Sequence, residues 1–73
     1  MAYGVTLDRD EVARRAIGAG LTRVRFQEFD AGDKLGIGLS YGTLRTAFRI
    51  KPEWGTEDVL ARVNEWLDGV RRS

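Results

Sequence analysis

The side chains best placed to do chemistry in this chain are basic. Arg23 and Arg25 stand in one stretch and Arg45, Arg49 and Lys51 in another, each an even number of positions from the next. On extended backbone that spacing puts them on one face, because successive side chains alternate between faces. Ten of the twelve basic residues are arginine. Codon usage in a GC-rich genome explains that preference as well as a need for planar forks that grip carboxylate or phosphate bidentately. Phe29 shares the alternation with Arg23 and Arg25 and is a candidate ring for stacking on a bound group or for closing a core edge.

Other chemistries find little support. The chain has no histidine and no cysteine, which removes the imidazole bases, thiol nucleophiles and commonest metal ligands. Catalysis would rest on carboxylates, Tyr3, Tyr41 or Ser40 without a triad partner, and no phosphate-binding loop is present. Gly36-x-Gly38 lies within an extended stretch instead of opening a helix, so it is no dinucleotide fingerprint. Asp30 and Asp33 lack the further oxygens of a calcium loop and read as turn formers. The expectation is a protein that is not an enzyme, with no cofactor and no metal. A net charge of +1 supplies no long-range field, so any electrostatic recognition has to come from the arrangement of charges.

The elements that must position the basic residues are legible in the periodicities. Asp8 reads as a helix N-cap with Glu11 as its capping-box partner, and Leu7 and Val12 as the hydrophobic staple. Val12, Ala13, Ala16 and Ile17 form a stripe over a helix at 9–18, with Asp10/Arg14 and Glu11/Arg15 as ion pairs one turn apart and Gly18 and Gly20 ending it. Three stretches of period two follow, at 22–29, 34–41 and 44–51. Gly42-Thr43 suits a type II′ hairpin between the last two, and Pro52 ends the third. Thr56 reads as the N-cap of a helix at 57–71, with Val59, Leu60, Val63, Trp66, Leu67 and Val70 as a wide apolar stripe. Tyr3, Val5 and Leu7 alternate with small or polar residues, a pattern that suits a short lead-in strand.

The turn lengths also set a register. They pair Phe26 with Ile37, Val24 with Leu39, Ile37 with Phe48 and Tyr41 with Leu44, so apolar residues fall opposite apolar residues. A slip of one residue would reverse every one of them. The chain is therefore expected to be one α+β domain over residues 1–73, in the order α-β-β-β-α, with a three-stranded antiparallel meander packed against helices. Its second face would carry the rows Arg23–Ser40–Arg45, Arg25–Gly38–Ala47, Gln27–Gly36–Arg49 and Phe29–Lys34–Lys51, two basic ridges about 10 Å apart around a lane of glycine and serine.

Two bland explanations compete with a functional face. Basic residues on edge strands keep sheets from pairing with each other, and the alanine-bearing stripe of the first helix is a candidate cover for the glycine lane. The element order resembles that of double-stranded-RNA-binding domains and of small toxins built on the same plan. The RNA-binding family opens its last helix with lysines where Glu57 and Asp58 stand here, and the toxins use a histidine that this chain lacks. In size and style the chain is also similar to accessory proteins of phages and mobile elements, including anti-CRISPR inhibitors.

The functional expectation is a small binding protein of inhibitor or regulator type. It would meet a larger protein or nucleoprotein with an acidic surface through Arg23, Arg25, Phe29, Arg45, Arg49 and Lys51, and nucleic acid is the alternative ligand. A homodimer through the same face is opposed by repulsion between matching ridges. The first residues have neither a charged start nor an apolar run, so no signal peptide, no membrane span and a cytoplasmic location are expected.

Overall fold

A computed structural model of the chain describes residues 7–72. Helix α1 spans Arg9–Gly18, β1 Arg23–Phe29, β2 Lys34–Tyr41, β3 Leu44–Ile50 and α2 Thr56–Arg72. The fold is a small α+β domain with the expected order of elements. Tyr3 and Val5 of the expected lead-in strand, and the residues read for a signal peptide, lie outside the described residues.

The strands form one antiparallel sheet in the order β1-β2-β3, in the register that the alternation demands. Phe26 pairs with Ile37 and Val24 with Leu39, while Ile37 pairs with Phe48 and Tyr41 with Leu44. Gly42 turns the second hairpin with φ 63°, and its N–H donates to Thr22 Oγ1 at 2.9 Å. The first hairpin turns through the expected four residues, Asp30 to Asp33, closing on the Phe29–Lys34 pair. Asp30, Ala31 and Gly32 all have positive φ, of 52°, 58° and 90°. Asparagine-like side chains and glycine tolerate that region, but alanine gains nothing there.

The helix caps differ from expectation in an instructive way. Asp8 does cap α1, accepting from the Glu11 N–H at 3.1 Å. The Glu11 carboxylate does not close the box; it turns to Arg15 at 3.2 Å. Asp8's own N–H donates to Thr56 Oγ1 at 2.8 Å instead. Thr56 is therefore the first residue of α2, not its cap, and its side chain is buried. Gly55 takes the cap position, with its N–H donating to Asp58 Oδ2 at 2.9 Å.

The two helices run side by side in the same direction. Asp8 meets Thr56 where both begin, and Arg71 donates to the Ala19 carbonyl where both end. Between these ties Arg15 binds Glu57 at 2.6 Å. Hydrogen bonds to Glu57 and Glu11 raise the Arg15 pKa, holding the guanidinium charged.

One buried cluster joins Val12 and Ala16 of α1, Leu35, Ile37 and Leu39 of β2, Ile50 of β3, and Val59, Leu60, Val63 and Leu67 of α2. Both helices thus cover the same face of the sheet. The longer α2 takes most of that face, and α1 buries only the narrow line of Val12 and Ala16. Ile17, expected in the stripe, is 46% exposed. Leu44, at the hairpin tip, is likewise exposed. Of the two expected α1 ion pairs, Glu11 with Arg15 forms, whereas no bond is found between Asp10 and Arg14.

Candidate functional site on the open sheet face

Because both helices share one face, the other face of the sheet is uncovered among the described residues, and the first helix does not lie on the glycine lane. The clearest sign is Gly38 at its centre. A Cβ placed there would meet nothing closer than the Thr46 carbonyl oxygen at 4.0 Å. Gly38 therefore is not small to admit another of the described elements of the fold.

Antiparallel pairing sets the cross-strand rows. Arg23 faces Ser40 and Arg25 faces Gly38; across the second pairing Arg45 faces Ser40, Ala47 faces Gly38 and Arg49 faces Gly36. Arginines of β1 and β3 stand about 10 Å apart across the lane, and Arg23 and Arg25 about 7 Å apart along their strand. Arg23, Arg25, Ala47, Arg45 and Arg49 are all exposed.

The lane is not uniform. The Phe29 ring lies over Gly36, so close that a Cβ there would come to 3.0 Å from Cε2. Arg49 stands over the same ring, 5.6 Å from its centroid. Phe29 is thus neither a core lid nor a free stacking platform; it closes one end of the trough. From there a shallow concavity of about 690 Å³ runs past Gly38 and Ala47 between Arg25 and Arg49. It continues into one of about 480 Å³ around Ser40, bounded by Arg23, Arg25 and Arg45. Arg25 and Gly38 line both, so the two form one trough that opens toward the Gly42 turn.

Charge on this face is unopposed. Among the described residues, ion pairs join Arg9 to Glu28, Arg15 to Glu11 and Glu57, Lys34 to Asp30, and Arg62 to Glu65. None involves Arg23, Arg25, Arg45 or Arg49. With those four set aside, the chain's other eight basic and eleven acidic residues leave a charge of −3. The near-neutral total therefore hides a basic sheet face set against an acidic remainder. A face of this kind attracts anions at short range, where arginine forks meet carboxylate or phosphate geometry.

Lys51 stands apart from the group the sequence placed it in. β3 ends one residue before it, and its Nζ lies 6.0 Å from the Trp54 ring centroid. Trp54 packs edge-on against Phe48, with centroids 6.4 Å apart, so it closes the core edge. The structure brings together Arg23, Arg25, Arg45, Arg49 and Phe29, and directs Lys51 to the margin.

Sequence reasoning missed one feature beside the site. Beside β3, an edge strand among the described residues, Thr46, Ala47, Phe48, Arg62, Glu65 and Trp66 line a notch of about 230 Å³. Trp66 belongs to the apolar stripe of α2 but is only half-buried. Its place at the margin of the α2 stripe, with an aromatic on an edge strand opposite, is the signal that was available.

Comparison of the chain with models of protein families, with curated proteins and with solved structures finds no match.

Proposed function

We propose that this chain is a small non-enzymatic binding protein of inhibitor or regulator type, which docks its arginine-lined sheet face on the acidic surface of a larger protein. The observation that carries this reading is the trough, uncovered among the described residues, with four guanidiniums that have no carboxylate partner among them. Its floor of glycine, alanine and serine lets a partner's side chains reach the arginines without steric hindrance. Arginine next to an aromatic ring is also a common composition for interface centres.

A protein partner is favoured over nucleic acid by the aromatics. Phe29 is covered by Gly36 on one side and Arg49 on another, and Phe26 and Phe48 pack with the core. Among the described residues the face therefore offers no free ring on which bases would stack. No helix among the described residues is long and apolar enough to cross a membrane.

The test is capture from an extract of the native host with the wild-type chain and with Arg23→Glu combined with Arg25→Glu. A partner recovered stoichiometrically by the wild type and reduced more than about tenfold by the double variant supports the reading, since facing like charges cost several kcal/mol. Equal recovery by both, or no stoichiometric protein at all, overturns it. Nucleic acid bound through four phosphates would show a slope of log K against log salt near about −3.6, and that result would reassign the face.

A further inference from the structure

The sheet face alone is small for a stable interface. Three strands of seven or eight residues present a flat area of roughly 350 Å², against about 800 Å² per partner in an interface of standard size. A partner held on this face has to continue over an edge, and the two edges are not equivalent.

At β3 the two-residue turn makes Tyr41 and Leu44 a hydrogen-bonded pair, and pairing alternates from there. Thr46, Phe48 and Ile50 consequently turn their backbone groups toward β2. Arg45, Ala47 and Arg49 point theirs out of the sheet. The same residues carry the exposed side chains of the ridge. Just beneath this edge lies the notch between Phe48 and Trp66.

At β1 the outward backbone belongs to Val24, Phe26 and Glu28. There Arg9 of α1 binds Glu28 at 3.1 Å and stands 5.9 Å from the Phe26 centroid. A helix side chain crowds that edge.

We propose that β3 is a strand-addition site, where an extended segment of the partner protein pairs antiparallel along Arg45–Arg49. The proposal rests on the reading of the face as a docking surface for an acidic protein, and it specifies the partner's chemistry. Residues of an added strand that lie beside Arg45, Ala47 and Arg49 share the outer face with them. Acidic residues four positions apart meet the two arginines, with a small residue between them beside Ala47. The two intervening positions fall on the other face, opposite Thr46 and Phe48, where apolar side chains enter the notch. The recognised pattern is acidic, apolar, small, apolar, acidic. Main-chain hydrogen bonds supply affinity, and the alternating side chains supply selectivity.

A second copy of this chain is a poor occupant. Antiparallel pairing of β3 with itself about Ala47 sets Arg45 opposite Arg49 twice, and like charges directly opposite are destabilising. The charges that keep the edge from pairing with itself are the ones that select an acidic strand.

The probe is a blocked synthetic peptide with Glu-Val-Ser-Val-Glu at its centre, titrated into the isotope-labelled full chain. Saturation is expected to slow amide exchange at Arg45, Ala47 and Arg49 at least about tenfold. It is also expected to shift the emission of Trp66. Ala47→Pro removes an N–H that faces solvent in the free protein, and should weaken binding at least about tenfold. If that variant does not fold, the exchange measurement on the wild type decides alone.

Peptide binding that shifts Arg23, Arg25 and Ser40 but leaves exchange at Ala47 unchanged overturns strand addition and leaves the face reading standing. Failure of the peptide to bind, while capture of a partner remains sensitive to Arg23→Glu with Arg25→Glu, overturns it in the same way. Failure of both removes the face reading as well. Sedimentation showing a dimer that Ala47→Pro dissociates overturns it in favour of self-pairing.

Discussion

Gly38→Val separates a functional trough from a merely permissive one. Glycine inside a strand is destabilising by roughly 0.5–1 kcal/mol relative to alanine, and a β-branched side chain suits extended backbone better still. Keeping it needs a reason. Within this fold none is visible, because the nearest atom to an added Cβ is the Thr46 carbonyl oxygen at 4.0 Å, an ordinary contact distance. Gly38 also lacks the positive φ found at Gly20, Gly32 and Gly42, so valine meets no backbone strain.

The variant should therefore be more stable than wild type by about 1 kcal/mol, which raises the melting temperature of a domain this size by about 4–8 °C. At the same time its branched side chain stands in the trough between its cross-strand neighbours Arg25 and Ala47. Partner capture should fall at least about tenfold, since a clash or lost contact of 1.4 kcal/mol already has that effect. The assays are thermal unfolding by circular dichroism and the capture experiment. Gly36→Ala is the control, because its Cβ presses on the Phe29 ring at 3.0 Å and should give no gain in stability. A Gly38→Val protein that is destabilised refutes the geometry of an open lane. One that is stabilised and still captures its partner fully refutes the trough as the contact surface.

Two further predictions concern the frame that holds the face. Thr56→Val keeps the shape of a buried side chain but leaves the Asp8 N–H without its acceptor, and should cost about 1–2 kcal/mol in urea unfolding with the face unchanged. Ala31→Gly relieves a left-handed alanine at φ 58° and should raise stability by about 0.5–1 kcal/mol, after allowing for the freer unfolded chain. An unchanged melting temperature would show that the first hairpin turn is not strained.

The sheet was readable because its signals are local and mutually constraining. The alternation of Val24 and Phe26, Ile37 and Leu39, and Phe48 and Ile50 states which residues share a face, and turn lengths state which residues pair. Arg23, Arg25, Arg45 and Arg49 fall together for the same reason. The α1 cap was legible from Asp8, but its closing partner was not. The bond from Asp8 to Thr56 joins residues 48 positions apart, and no local pattern encodes it. Thr56 looked like a cap because threonine before acidic residues usually is one, yet its hydroxyl oxygen accepts from a cross-helix donor, the Asp8 N–H.

The register of the meander, the set of side chains opposite the core and the absence of acidic residues among them follow from residue order, because a period of two is a property of the strand alone. Whether that face is open depends on how the helices pack. An amphipathic stripe tells which side of a helix is buried but not which side of a sheet it is buried against. α1 joined α2 over the Leu35–Leu39 face, where Val12 and Ala16 complete a single core, and left Gly38 bare. Packing likewise decided that the Phe29 ring closes the trough at Gly36, and that Lys51 turns to Trp54. Both depend on which neighbours a side chain finds across the sheet, and those neighbours exist only once the chain has folded.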